Sequence, residues 1–148
     1  MGNVPDWYFR QSGVIPYRAS LQGPEVLLIT SRRRKHWVIP KGVVEPHMTH
    51  LSSACQEAWE EAGLHGQIYP ESVGTYQYRK WGGTCEVQVY LLAVDRLADQ
   101  WPERSFRSRQ WVLWNQAAEL VRDSGLARLL KDLPNDLQRV QGSFGESE

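Results

Sequence analysis

Three carboxylates, Glu57, Glu60 and Glu61, stand at positions i, i+3 and i+4 of a stretch whose small and apolar residues repeat with helical spacing. On one side of a helix, each like-charged neighbour pair costs about 0.2–0.5 kcal/mol. No Lys or Arg lies within one turn of them in the sequence. Two arrangements accommodate such a set: a solvated helix face, or a site for a hard divalent cation that takes oxygen ligands. The flanks favour the cation. A basic stretch, Arg32, Arg33, Arg34 and Lys35, and then Pro40-Lys41-Gly42 precede the helix, and guanidinium groups match phosphate geometry. Together, the carboxylates and these flanks suit phosphates bridged by a divalent cation.

Positioning these groups requires a frame. The apolar spacing of Leu51, Ala54, Cys55, Ala58 and Ala62 predicts a helix from about 51 to 62, capped by Thr49 or Ser52 and stopped by Gly63. Ser12–Tyr17 and Glu25–Ser31 read as strands joined by a turn at Leu21-Gln-Gly-Pro24, with Pro16 expected at an edge or bulge. Trp37–Ile39 reads as a short strand, followed by a turn at Pro40-Lys41-Gly42. Ser72–Trp81 and Thr84–Val94 form a long hairpin around Trp81-Gly-Gly83. Trp111–Trp114 is another strand, and Gln116–Leu130 is helical with a break near Ser124-Gly125. Strands on both sides of a central helix, with a closing helix, predict an α/β architecture built on a mixed sheet.

With 148 residues, 41% hydrophobic and 23% charged, the composition is that of one globular domain, placed at 1–140, with 141–148 expected to be a flexible acidic tail. Seventeen basic residues balance seventeen acidic ones, which argues against a general nucleic-acid binder. No apolar run approaches the roughly 18 residues of a membrane span. The first ten residues have no signal-like core, and Cys55 and Cys85 form no CxxC, so a cytoplasmic protein without disulfides is expected.

The segment Gly42–Leu64 resembles the Nudix box, GX5EX7REUXEEXGU with U apolar. Gly42, Glu57, Ala58, Glu60, Glu61, Gly63 and Leu64 match it, and Trp37-Val-Ile-Pro-Lys-Gly42 and Arg109-Gln-Trp111 extend the likeness. The resemblance implies the Nudix fold, a mixed β-sheet sandwiched between helices, and metal-dependent hydrolysis of a nucleoside diphosphate linked to another moiety. It implies Glu57, Glu60 and Glu61 as catalytic ligands of Mg²⁺, with Mn²⁺ as the alternative, and Glu57 as the candidate base. The backbone carbonyl of Lys41 and a carboxylate before the last strand, here Glu103, are implied as further ligands. The Lys41 side chain is placed to reach a phosphate. Arg32, Arg33, Arg34 and Lys35, with Arg79 and Lys80 at the hairpin, are expected to clamp a small polyphosphorylated substrate.

Two positions depart from the pattern: Met48 replaces Glu and Gln56 replaces Arg. A neutral pair avoids the unpaired charge that one change alone would leave, so the double change reads as a compensated loss. His47 and His50 have metal-pair spacing but lack further ligands, which argues against zinc. Tyr76, Tyr78 and Trp81 are expected to stack on a base, while Trp37, Trp111 and Trp114 are expected in the core. Within the family, the likeness is to diadenosine polyphosphate and diphosphoinositol polyphosphate hydrolases. A catalytically weak binding module and an RNA 5′-pyrophosphohydrolase are the alternatives.

Overall fold

A computed structural model describes residues 4–146. Eight strands form one mixed sheet: β1 (Arg10–Arg18), β2 (Glu25–Thr30), β3 (Trp37–Val38), β4 (Lys41–Val43), β5 (Leu64–Ile68), β6 (Gly74–Lys80), β7 (Gly83–Leu97) and β8 (Arg109–Leu113). The path runs β3-β2-β1-β7-β5, with β4 on β1, β6 on β7 and β8 on β2. β1 and β7 are parallel from Arg10↔Glu86 to Tyr17↔Ala93, and the other pairings are antiparallel.

Side-chain alternation splits the core into two layers. Val14, Leu27, Ile29, Tyr90 and Leu92 point to one face and pack on Ala54, Ala58 and Ala62 of α1 (His50–Ala62). Ile15, Val26, Leu28, Val89 and Leu91 point to the other. There they meet Ala117 of α2 (Trp114–Leu120), Leu126 and Leu130 of α3 (Ser124–Lys131), and Leu133 and Leu137 of α4 (Leu133–Glu146). The sheet is thus sandwiched between helices, as the resemblance implies.

Several local expectations need correction. Pro16 lies in the central strand, not at an edge. Val14 donates to the Pro40 carbonyl, so alternation turns Pro16 toward the same side of β1. On that side the partner changes from β4, at Gln11–Gly13, to β2, at Tyr17–Arg18, so no ladder bond is asked of Pro16. Lys41 and Gly42 form strand β4 rather than a turn, because they pair with Gly13 and Ser12. The closing helical stretch breaks before Ser124, which opens α3. β5 and α4 were not expected, and α4 carries the helix through Glu146 into the segment expected as a tail. Ser147 and Glu148 lie outside the described residues.

Candidate active site

Helix α1 starts and stops on the chemistry its sequence offers. The Thr49 hydroxyl accepts from the Ser52 N–H, and the Ser52 hydroxyl accepts from the Thr49 N–H, closing a reciprocal cap. Gly63 ends the helix at φ 65°, in the left-handed region. The outward face then carries Glu57, Glu60 and Glu61 against β4. Gly42 leaves room for this carboxylate: a Cβ at this position would force the Glu57 side chain to move.

Burial pushes Glu57 up to about 8, and the charges of Glu61, Glu60 and Glu103 add to the shift. Burial also pushes Glu61 up to about 7, against the pull of Arg107. Among the described residues none donates a hydrogen bond to Glu57. Glu61 accepts from the Lys41 backbone N–H at 3.1 Å and faces Arg107 at 3.3 Å. Glu60 accepts from Gln56 Nε2 at 2.9 Å. Glu103 joins the group, its N–H donating to the Glu60 carbonyl and its carboxylate meeting Arg107 at 2.9 Å.

As arranged, no three of these side chains close on one point among the described residues, since Glu61 is turned to Arg107 and Glu60 to Gln56. The donor set nevertheless fits a hard cation. Four carboxylates interact, and Arg107 and Lys41 are the cations acting on Glu61. Glu57, half-buried and without a donor, is the carboxylate that a divalent ion would satisfy.

Two supports were not expected from the sequence. Arg107 is buried, at 7% exposure, and ties Glu61 and Glu103 to the Thr30 carbonyl, to which Nη1 donates at 2.9 Å. It stands four residues after Glu103, the one sequence sign that could have found it. The second is a chain behind Lys41. Lys41 Nζ donates to the Tyr78 hydroxyl at 3.0 Å and lies 4.3 Å from that ring's centroid. Tyr78 in turn donates to Gln11 Oε1 at 2.7 Å. Burial lowers the Lys41 pKa, opposed mainly by Glu61.

The remaining basic residues divide. Arg34 donates to the Ser108 hydroxyl and the Ser105 carbonyl, and Arg32 lies over the Phe106 ring at 4.9 Å. These two hold the loop that carries Glu103. Arg33 and Lys35 are exposed, and Lys35 acts electrostatically on His36 together with Arg122 and Lys41. Arg79 donates to Thr84 on β7, whereas Lys80 lies over Trp81 at 4.6 Å. His47 is paired with Glu45 at 3.6 Å, and His50 keeps a buried Nδ1 without a partner, so the two do not form a metal pair. Tyr76 is a core residue at 3% exposure rather than a stacking platform. Trp81 does border a pocket of about 260 Å³, lined also by Trp7, Tyr8, Met48, Gln56, Glu57 and Glu60. Trp7 and Tyr8 belong to a short 3-10 turn, Asp6–Phe9, that no sequence pattern announced.

A family model described as the NUDIX domain matches residues 8–133. Nudix hydrolase 12, mitochondrial, of Arabidopsis thaliana is 32% identical over 142 residues, covering 82% of this chain and 70% of that protein. The human diphosphoinositol polyphosphate phosphohydrolase 3-alpha is 24% identical over 119 residues, covering 79% of this chain and 71% of that protein. A crystal structure of the C. elegans Ap4A hydrolase has a TM-score of 0.71 at 23% identity, over 86% of this chain and 97% of that one, a likeness of fold.

Proposed function

The chain belongs to the NUDIX family and is a Nudix pyrophosphohydrolase, and on that premise we propose that Glu57, Glu60 and Glu61 hold Mg²⁺ or Mn²⁺ for cleavage of a phosphoanhydride in a small polyphosphate substrate. Diadenosine polyphosphate and diphosphoinositol polyphosphate are the substrate classes favoured, since the names of similar proteins include both and the site combines carboxylates with cations. The observation that carries the reading is Glu57: half-buried, without a hydrogen-bond donor among the described residues, and acted on by the charges of three other carboxylates.

When bound, the cation supplies charge neutralisation of phosphate oxygens and an acidified water. The chain's own residues do the rest. Glu57, which accepts no hydrogen bond among the described residues, is the proton acceptor. A bound cation favours its ionised form and lowers its raised pKa. Glu60 and Glu61 complete the ligand set, with Glu103 and the Lys41 carbonyl as further ligands. Arg107 orients Glu61 by an ion pair and Glu103 by a charge-assisted hydrogen bond from Nε. Lys41, fixed by Tyr78, offers its ammonium to a phosphate, and Lys80, whose charge acts on Lys41, adds to the positive field there, with the exposed Arg33 and Lys35 as further cations for a polyphosphate. Arg32, Arg34 and Arg79 act on the substrate through the segments they hold.

No helix among the described residues is long and apolar enough to cross a membrane. A cytoplasmic location is part of the proposed reading. The test is release of product from diadenosine tetraphosphate, a diphosphoinositol polyphosphate, ADP-ribose and 5′-triphosphate RNA, with and without Mg²⁺. Turnover of either favoured class only with the cation is expected. Cation-independent binding without turnover on all four would leave a binding module.

A further inference from the structure

The last turn of α1 carries two of the proposed cation ligands, Glu60 and Glu61, where the helix itself works against them. Carboxylates there face the negative end of the helix macrodipole, and the turn holds no Lys or Arg to offset it. The same turn runs out of intrahelical donors. The Gly63 N–H takes the Trp59 carbonyl, and the helix ends. The next three carbonyls, of Glu60, Glu61 and Ala62, must find partners elsewhere.

Each finds one in the segment that runs from the end of β7 to the start of β8. The Glu103 N–H donates to the Glu60 carbonyl, Trp101 Nε1 to the Glu61 carbonyl and Arg109 Nη1 to the Ala62 carbonyl, all at 3.0 Å. Arg109 Nη1 also donates to the Ala98 carbonyl at 3.0 Å, and its guanidinium lies 3.8 Å from the centroid of the Trp101 ring. Arg109 thereby brings to the helix end the positive charge that the turn lacks. Its cation–π contact also steadies the ring that reaches Glu61. Gly63 lets that ring lie close, since a Cβ there would fall 2.9 Å from Trp101 Cγ.

The segment that caps the helix is the one that carries Glu103 and Arg107. Arg107 holds the side chains of Glu61 and Glu103, whereas Trp101 and Arg109 hold the main chain beneath them. Loosening these caps would let the last turn fray and Glu103 drift from it. We propose that Trp101 and Arg109 are positioning residues of the cation site, locking the carboxyl end of α1 to the β7–β8 segment so that Glu60, Glu61 and Glu103 keep one spacing. The inference rests on the cation site proposed above and adds two residues that touch neither cation nor substrate.

The test is titration of Mn²⁺ alone into the full chain, with the free ion read from its electron paramagnetic resonance signal. Trp101→Phe keeps a ring beside Arg109 and removes the donor to Glu61. Arg109→Met keeps an unbranched stem and removes the charge and its donors. Each should raise the Mn²⁺ dissociation constant at least about tenfold, the scale on which loss of a group that orients metal ligands is felt. Val112→Ala is the control for general destabilisation, on the same strand but in the opposite core layer. It should lower the melting temperature and leave Mn²⁺ affinity within about twofold of wild type. A wild type that binds no Mn²⁺ defeats the cation reading and this inference with it. Wild-type affinity kept by either variant leaves the cation site standing and overturns the role of that residue. A loss in Val112→Ala equal to theirs, at an equal fall in melting temperature, would overturn both roles. If Arg109→Met does not fold, Trp101→Phe decides alone.

Discussion

Helix α1 has two faces that obey opposite rules. Ala54, Ala58 and Ala62 are at most 3% exposed and meet Val14, Leu27 and Leu92 in a close-packed layer. One turn round the same helix, Glu57 and Glu61 are buried enough to be pushed up to about 8 and about 7. The small residues let the helix lie close on the sheet, and that closeness presses the carboxylates against β4. The first face stabilises the fold, and the second spends part of that stability on a cluster that a cation would relieve. Substitutions on the two faces should therefore separate stability from turnover.

The largest effect is expected from Glu60→Gln, which keeps size and removes charge. Turnover should fall at least about 100-fold, as losses of electrostatic stabilisation do, while unfolding in denaturant changes little. Near-full activity of this variant would remove Glu60 from the ligand set. On the other face, Ala58→Leu overpacks the layer and should lower unfolding free energy by about 1–3 kcal/mol. The folded fraction should keep its metal-dependent turnover, and a variant that is fully stable but inactive would break the division between faces. The smallest effect concerns the departures from the box. Met48→Glu and Gln56→Arg should couple by about 0.5–3 kcal/mol in a double-mutant cycle, the double change being better tolerated than either alone. Strict additivity in chemical denaturation would show that the two positions do not communicate.

The division between faces also governs what could be read from the chain. The α1 boundaries, the carboxylate set and Gly42 are local: cap, periodicity and motif lie within 23 residues, Gly42 to Leu64. What sequence left out depends on contacts between distant segments. Arg107 matters because the loop before β8 lies over α1, and Trp7 and Tyr8 because the residues before β1 reach the β6–β7 turn. Tyr78 was expected to stack on a base, yet pairing of β6 with β7 turns its hydroxyl toward Lys41 and Gln11. β5, Leu-His-Gly-Gln-Ile, has too little alternation to announce a strand, and it forms because β7 extends far enough to pair with it. Pro134 made the last helix hard to foresee, although a proline in a first turn breaks no intrahelical bond. Pro16 misled for the same reason: only the partner change along β1 explains why it is tolerated there.

The claim that the carboxylate face is a cation site is tested most directly by melting temperature against pH, without and with Mg²⁺, for wild type and Glu57→Gln. Glu57 and Glu61 are raised from 4.5 to about 8 and about 7, so between those limits the folded chain binds more protons than the unfolded one. Without the cation, wild-type stability should be fullest near about pH 4.5 and should fall as pH rises to about 8. Mg²⁺ binds the ionised carboxylates and should raise the melting temperature most at the alkaline end. Glu57→Gln should be the more stable protein there without the cation, and should gain little when Mg²⁺ is added. A wild type whose stability is flat or rises across this range, or a Mg²⁺ shift equal in both proteins, would contradict the assignment.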